Sequence, residues 1–415
     1  MTHRKFEVIV IGGGAAGIAA ARCLHEGRID YVLVEARPRL GGRASTVIVG
    51  GNALDLGCGW FHSADQNPWA EVARTQGRVI DETAPPWSRP SLSAGFPMAE
   101  QKAFATALDA FYTRADAADL GSGDRPLSDF LDPNNRWNPL INAVSTYFSG
   151  AELARISARD LQKYQDSEVN WRVREGYGSV IADRGTGLNV VLNCAVECIN
   201  WGKRPLRVST PDGVVEADAA IITIPTSLLA QNPEFFDPRL PEKTEAAASL
   251  PLGLADKLFL SLADADEFES ESRLFGRNDR TKTAIYHFRP FGRAVIECYF
   301  GGECALELEA GGEAAFFDFA RTELTALLGH EFGLRIKPIA MYLWNADPFA
   351  NGSYSYAVPG GADNRMKLAA PVDNRLFFAG ESCSEQWFST AHGAYASGVA
   401  AARQVIQRTR QPIRA

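Results

Sequence analysis

The sequence lacks most of the features that mark a metal, disulfide, membrane or nucleic-acid protein. Its seven cysteines, at positions 23, 58, 194, 198, 298, 304 and 383, include no C-x-x-C pair, and none of the six histidines clusters beside them. That leaves zinc sites and a disulfide framework unsupported and reads as reduced thiols. No excess of positive charge is present: 42 Lys and Arg against 50 Asp and Glu give a net charge of −8. An acidic balance argues against binding a phosphate backbone or anionic lipid. Long apolar runs are absent as well. The longest, Val8 to Ala21, is broken by Gly12, Gly13, Gly14 and Gly17 and is too short to span a bilayer. Met1 to Glu7 is mostly polar, and Gln404 to Ala415 is polar and basic, so neither a secretory leader nor a tail anchor is expected. No linker, repeat or low-complexity stretch divides the chain. Hydrophobic residues at 46% and charged residues at 22% exclude a disordered, collagenous or coiled-coil chain. A length of 415 residues allows two or three modules. A cytoplasmic location is expected.

What is present begins at Val8-Ile9-Val10-Ile11, a β-branched run of the kind found in strands buried on both faces. Gly12-Gly13-Gly14-Ala15-Ala16-Gly17 follows and satisfies G-x-G-x-x-G at Gly12, Gly14 and Gly17. An alanine-rich helix comes next, with Gly27 as its expected C′ residue, and then a second strand, Tyr31 to Val34, ending at Glu35. In such a unit Gly12 permits the tight turn, Gly14 admits a pyrophosphate to the backbone, and Gly17 lets helix and strand pack closely. The helix start, including Ala16, favours phosphate through its N–H groups and dipole. Glu35 stands where an acid accepts ribose hydroxyls, and its charge fits FAD or NAD better than NADP. Strand, turn, helix, strand and acid in this order mark a dinucleotide site.

Ala36-Arg37-Pro38-Arg39-Leu40-Gly41-Gly42-Arg43 can present N–H groups at Gly42 and a guanidinium at Arg43 to a diphosphate, with Ala36 and Arg37 at its start. Together with the fingerprint, this segment resembles the flavin amine-oxidase superfamily, which comprises monoamine oxidases, polyamine oxidases and amino-acid oxidases. The resemblance extends along most of the chain. Leu54 to His62, with Gly57, Cys58, Gly59 and Trp60, resembles the family's segment beside the flavin ring. Glu175 to Ile181 is similar to the segment that re-enters the FAD domain, and Asn189 to Trp201 to a strand whose backbone, at Val196, meets the adenine. Ala217 to Pro225 matches a further strand. Leu376 to Glu381, with Gly380 and Glu381, and His392 to Gly398, with Gly393 and Ala394, are similar to the C-terminal FAD signature. Here an apolar strand stops at a glycine, and small residues open a second helix with its own N-terminal dipole.

The recurrence of FAD-like segments at the start, middle and end requires interleaved domains. The fold class expected is α/β: a Rossmann-like FAD-binding domain (1–66, 171–256 and 346–415) interleaved with an α+β substrate-binding domain (67–170 and 257–345). Phe104, Ala107, Leu108 and Phe111 fall at helical spacing in the first insertion. Strand-like alternation dominates Lys257 to Trp344, broken by a helix near Glu313 to Leu328.

The resemblance implies a noncovalent FAD, because Ser353 stands where monoamine oxidases carry the cysteine bonded to flavin. It implies hydride transfer from an amine C–N bond, hydrolysis of the imine, and reoxidation by O2 to hydrogen peroxide. Lys257 reads by alternation as an exposed strand lysine facing away from leucines. The resemblance makes it the lysine that holds a water against the flavin, where burial lowers its pKa. Tyr354 matches one ring of the family's aromatic pair, while Thr390 occupies the place of the second tyrosine. Trp344, Trp387 and Phe388 supply further aromatic surface, with Trp387 or Phe388 standing in for the missing ring. His62 matches the histidine of acetylpolyamine and spermine oxidases, a candidate for proton transfer or substrate hydrogen bonding. The expected partners are a small-molecule amine and O2, without nucleic acid or membrane, and with a homodimer as the assembly to test. No metal is expected. Three alternatives stand: an L-amino-acid oxidase with a clamp such as Arg289, a same-fold dehydrogenase or desaturase with another acceptor, and a flavin-binding partner protein without turnover.

Overall fold

The structure, a computed structural model, describes residues 5–410 apart from Ser122, without the side chains of residues 409–410. The polar segment before Lys5 and the tail beyond residue 410 lie outside the described residues.

The strand Lys5–Ile11 lies inside the larger sheet. Its side chains alternate between two cores: Phe6, Ile9 and Ile11 enter one, Val8 and Val10 the other. Burial on both faces follows from its β-branched run. It pairs in parallel with Tyr31–Val34 on one side and with Gly213–Ile222 on the other. The far edge of Gly213–Ile222 pairs antiparallel with Leu206–Thr210 over its first half and parallel with Leu376–Phe378 over its last residues. Segments from residues 5 to 378 thus meet in one sheet, which places their loop ends side by side.

Two helices cover one face of that sheet, Ala15–Glu26 and Ala391–Arg410. Small residues let them approach until a Cβ on Gly398 would stand 2.2 Å from the Ala16 carbonyl oxygen. Gly27 departs from its expected role. It ends the first helix in right-handed geometry at φ −74°, and the left-handed turn falls on Arg28 at φ 59°. Gly27 instead makes room for Ile406, which a Cβ would meet at 2.9 Å. The expected continuous strand over Asn189 to Trp201 is also interrupted: only Val190–Val191 and Cys198–Asn200 are strands, and Val196 lies in the connection.

The second sheet is fully antiparallel, in the order Ser272–Phe275, Ile285–Phe288, Val295–Gly301, Ala255–Leu262, Ile336–Met341. One face is apolar: Leu258, Leu260, Leu274, Tyr286, Phe288, Ile296, Cys298 and Phe300 pack with Phe316, Ala320 and Leu324 of the helix Gly312–Leu328. The opposite face carries Lys257, Glu297, Tyr299, His287 and Arg273 and looks into a cavity. Helices Met98–Asp116 and Asn138–Ser149 close that cavity, burying Phe104 and Phe111 among Phe96, Trp137 and Phe275.

A buried ion pair ties the helical layer to the C-terminal segments. The Arg365 Nε and Nη2 donate to the two Asp160 oxygens at 2.8 and 2.7 Å, with side-chain exposures of 0% and 2%. Breaking such a pair leaves one charge uncompensated and costs about 3–5 kcal/mol. Asp160→Asn is therefore expected to lower the thermal midpoint by several degrees. An unchanged melting curve would contradict this assignment.

Candidate active site

The loops at the strand ends of the first sheet open onto a single cavity of about 1630 Å³ that continues under the polar face of the second sheet. Gly12, Gly14, Ala16, Glu35, Ala36, Arg37, Gly42, Arg43, Gly57, Cys58, Gly59, Trp60, Val196, Gly380, Glu381 and Ala394 all line it. Gly17 and Gly393 lie behind the wall. A Cβ on Gly17 would stand 1.8 Å from the Gly12 carbonyl oxygen, so that glycine serves helix-on-turn packing.

These residues fit a dinucleotide. Glu35 is buried and accepts from the N–H groups of Gly13 at 2.6 Å and Arg37 at 2.8 Å. A carboxylate has about four acceptor positions, so capacity remains for ribose hydroxyls. Gly14 has only the Gly42 Cα within 3.8 Å of its missing side chain, which leaves backbone open to a phosphate at the helix start. Arg43 donates to the Ser353 carbonyl at 2.7 Å and to Glu381 at 2.9 Å, joining three of the expected segments at one point. The Ser353 hydroxyl bonds the Ala255 N–H and carbonyl at 2.9 and 2.8 Å and so anchors the strand that carries Lys257.

Lys257 is buried, with Nζ 2.8 Å from Glu297 Oε1 and 3.2 Å from the Asp55 carbonyl oxygen. Burial acts on it in the expected direction, but the attraction of Glu297, aided by Tyr299 and Asp55, is stronger in sum. Its pKa is raised, where the sequence pointed to a lowered one. Glu297 is in turn held below the usual carboxylate range, because Lys257 and His287 together outweigh its burial. His287 Nε2 stands 2.6 Å from Glu271, which also meets Arg172 at 2.8 Å.

His62 lines the cavity, with Nδ1 2.6 Å from Asn170 Oδ1. An amide oxygen only accepts, so Nδ1 carries the proton and Nε2 keeps a free lone pair. Burial lowers the His62 pKa and keeps the ring neutral. Tyr354 donates to the Tyr147 carbonyl at 2.6 Å, with Tyr299 Oη at 3.4 Å. Phe388 lies 5.0 Å from the Tyr164 ring, beneath the Arg365 guanidinium at 3.9 Å. Trp344 lines the cavity and donates from Nε1 to the Leu56 carbonyl at 3.0 Å.

Two expectations need correction. Trp387 does not line this cavity: it borders a separate pocket of about 340 Å³ and packs 5.6 Å from the His392 ring. The C-terminal chain turns at Ser389, φ 63°, and sends Phe388 inward instead. Thr390 reaches the cavity, but its hydroxyl donates to the Trp387 carbonyl at 2.6 Å and accepts from the Gly393 N–H at 3.0 Å, capping the C-terminal helix. Glu297, Tyr299, Asn170 and Arg273 were missed. The alternation of Glu297 and Tyr299 with Ile296, Cys298 and Phe300 was visible, but the partner strand was not.

A strand–glycine turn–helix–acid unit sharing one cavity with an aromatic chamber defines a dinucleotide-dependent oxidoreductase. Residues 96–406 match the family of flavin-containing amine oxidoreductases, and residues 10–75 match an NAD(P)-binding Rossmann-like domain. The chain belongs to the flavin-containing amine oxidoreductase family and is an FAD-dependent amine oxidase. It is 28% identical to polyamine oxidase 4 of Oryza sativa subsp. japonica, over 97% of this chain and 88% of that protein. It is 29% identical to polyamine oxidase 2 of Arabidopsis thaliana, over 98% of this chain and 89% of that protein. A solved double mutant of putrescine oxidase shares the fold, with a TM-score of 0.76, 18% identity, and coverage of 97% of this chain and 99% of that one. Among the described residues no helix is long and apolar enough to cross a membrane.

Proposed function

We propose that the chain oxidises the C–N bond of an aliphatic amine seated between Trp60, Tyr354 and Phe388, with O2 as terminal acceptor and hydrogen peroxide as co-product. The observation that carries this reading is the single cavity joining the glycine fingerprint, Lys257 and the aromatic chamber. Polyamine and putrescine oxidases among the similar proteins favour an aliphatic over an arylalkyl amine. When bound, noncovalent FAD supplies a two-electron acceptor that takes hydride from the carbon beside nitrogen, and water hydrolyses the imine to a carbonyl compound. Gly12, Gly14, Glu35, Arg43, Gly380 and Ala394, which line the cavity, would hold that cofactor.

The chain's own residues do the rest. Neutral His62 accepts a proton at Nε2 from the incoming ammonium, because only the free amine has a lone pair to assist hydride loss. The faces of Tyr354 and Phe388 favour the substrate nitrogen and exclude water. Lys257 remains an ammonium on the cavity wall, where it would orient a water and steady negative charge developing on a bound cofactor. The competing carboxylate clamp at Arg289 has no support. That side chain donates to the Phe268 carbonyl at 2.8 Å, pairs with Asp266 at 2.7 Å, and does not line the cavity. A cytoplasmic location and a homodimeric assembly complete the proposal, the latter read by sedimentation.

Anaerobic addition of aliphatic amines to the purified holoenzyme is expected to bleach the flavin, and air to restore its colour with release of peroxide. Bleaching without reoxidation in air would identify a dehydrogenase. No bleaching by any amine would reduce the protein to a flavin-binding partner.

A further inference from the structure

Four arginines line the cavity, and three have carboxylate partners: Arg37 with Asp347 at 2.7 Å, Arg43 with Glu381 at 2.9 Å, and Arg89 with Glu269 at 3.8 Å. The fourth, Arg273, pairs with no carboxylate among the described residues. Its Nε donates to Ser91 Oγ at 3.1 Å and its guanidinium lies 4.8 Å from the Phe275 ring, while the terminal nitrogens make no hydrogen bond to any described residue. Burial alone pulls its pKa down to about 10, with no anion to offset it. A partly dehydrated cation without a counter-charge is costly unless a ligand supplies one.

The surroundings point the same way. Ser91 is buried behind the cavity wall, and its hydroxyl accepts from Arg273 Nε, which holds the guanidinium in place. Arg89 and Lys102 line this end of the cavity, whereas Asp166 and Glu168 line the His62 end. Glu271, two residues before Arg273 on the same segment, and His287, the register partner of Arg273 on the neighbouring strand, are already committed to each other.

We propose that Arg273, held in place by Ser91, forms an anion subsite of the substrate chamber, which takes the carboxylate of a substrate whose amine is oxidised at the other end. This rests on the amine binding in this chamber. Register sets the reach. Phe275 pairs with Ile285, Ile285 with Tyr299, and Tyr299 with Lys257, so three strand spacings, about 14 Å, separate the backbones of the strands that carry Arg273 and Lys257, and Arg273 lies two residues further along its strand. An α-amino acid is too short to engage both ends. The ligand class is therefore a long-chain ω-amino carboxylate or an amine bearing a comparably remote carboxylate, and a polyamine would meet repulsion here.

The test uses holoenzyme with ω-aminoalkyl carboxylates of increasing length and diamines of matched length, in wild type, Arg273→Gln and Arg273→Lys. The expected result is a preference in kcat/KM for the carboxylates once the chain is long enough. In Arg273→Gln that ratio falls about 10- to 100-fold through KM, the loss expected for a charge-assisted hydrogen bond, and Arg273→Lys restores part of it. Binding is read separately: an alkyl carboxylate without an amine perturbs the flavin absorbance of wild type and not of Arg273→Gln. A wild type that prefers diamines at every length, or an Arg273→Gln ratio equal to wild type, would overturn the subsite. Carboxylate binding with no amine turned over would support it and overturn the proposed function instead.

Discussion

Lys257→Met is expected to retain FAD and the fold yet slow reoxidation of the reduced enzyme by O2 roughly 100-fold, the scale of a positioned proton donor. The ammonium has a defined electrostatic source. Glu297 Oε1 at 2.8 Å, with Tyr299 and Asp55, keeps it charged against burial. A raised pKa means protonation at every ordinary assay pH, so wild type should show no pH dependence from this group. Glu297→Gln removes the strongest raising influence and leaves burial, which lowers the pKa of a lysine. The reoxidation rate of that variant should fall about tenfold per unit above a new alkaline break, displaced downward from wild type by the loss of the Glu297 charge. Glu297→Asp should keep the flat profile, and the double variant Lys257→Met, Glu297→Gln should show slow but pH-independent reoxidation. Stopped-flow absorbance reads all four proteins. A break surviving in the double variant would assign it to another group, and unchanged rates in Lys257→Met would remove this lysine from the reaction.

The second large effect concerns two glycines of one fingerprint that act differently. A Cβ on Gly17 collides with the Gly12 carbonyl at 1.8 Å, and the obstacle is backbone. Gly17→Val should therefore lose both FAD and several degrees of thermal stability. At Gly14 the nearest atom is 3.8 Å away and the space opens to the cavity. Gly14→Val should melt near wild type in the FAD-free state yet bind FAD at least roughly tenfold more weakly, because the side chain fills the place where a pyrophosphate approaches. Equal losses in the two variants, measured by flavin absorbance and calorimetry, would contradict this division of roles.

The acidic balance gains meaning from the chamber, though not as a uniform attraction for cations. Carboxylates inside are mostly spent on internal partners, Glu297 on Lys257 and Glu381 on Arg43, while Arg273 leaves positive charge at one end. Net charge says little about the field at such a site.

The sequence alone determined the dinucleotide unit. Its signals are local: a β-branched run, a glycine spacing, a small-residue helix and an acid lie within residues 8–35. The resemblance carried this to distant segments such as Arg43, Gly380 and Ala394, and all three line the same cavity. Alternation also gave the correct face for Lys257. What alternation left open was the partner on that face. Glu297 lies forty positions away and comes within 2.8 Å only because two antiparallel strands pair in one register. That contact reverses the sign of the lysine's pKa shift, since a nearby opposite charge and burial act in opposite directions. Trp387 and Phe388 are adjacent in sequence, and a left-handed turn at Ser389 accompanies the exclusion of one and admission of the other. Arg273 differs from its three paired counterparts by lacking a carboxylate partner among the described residues, which no sequence pattern records. Local backbone chemistry fixed the strand–glycine turn–helix unit, and long-range strand pairing decided the charge and shape of the chamber beside it.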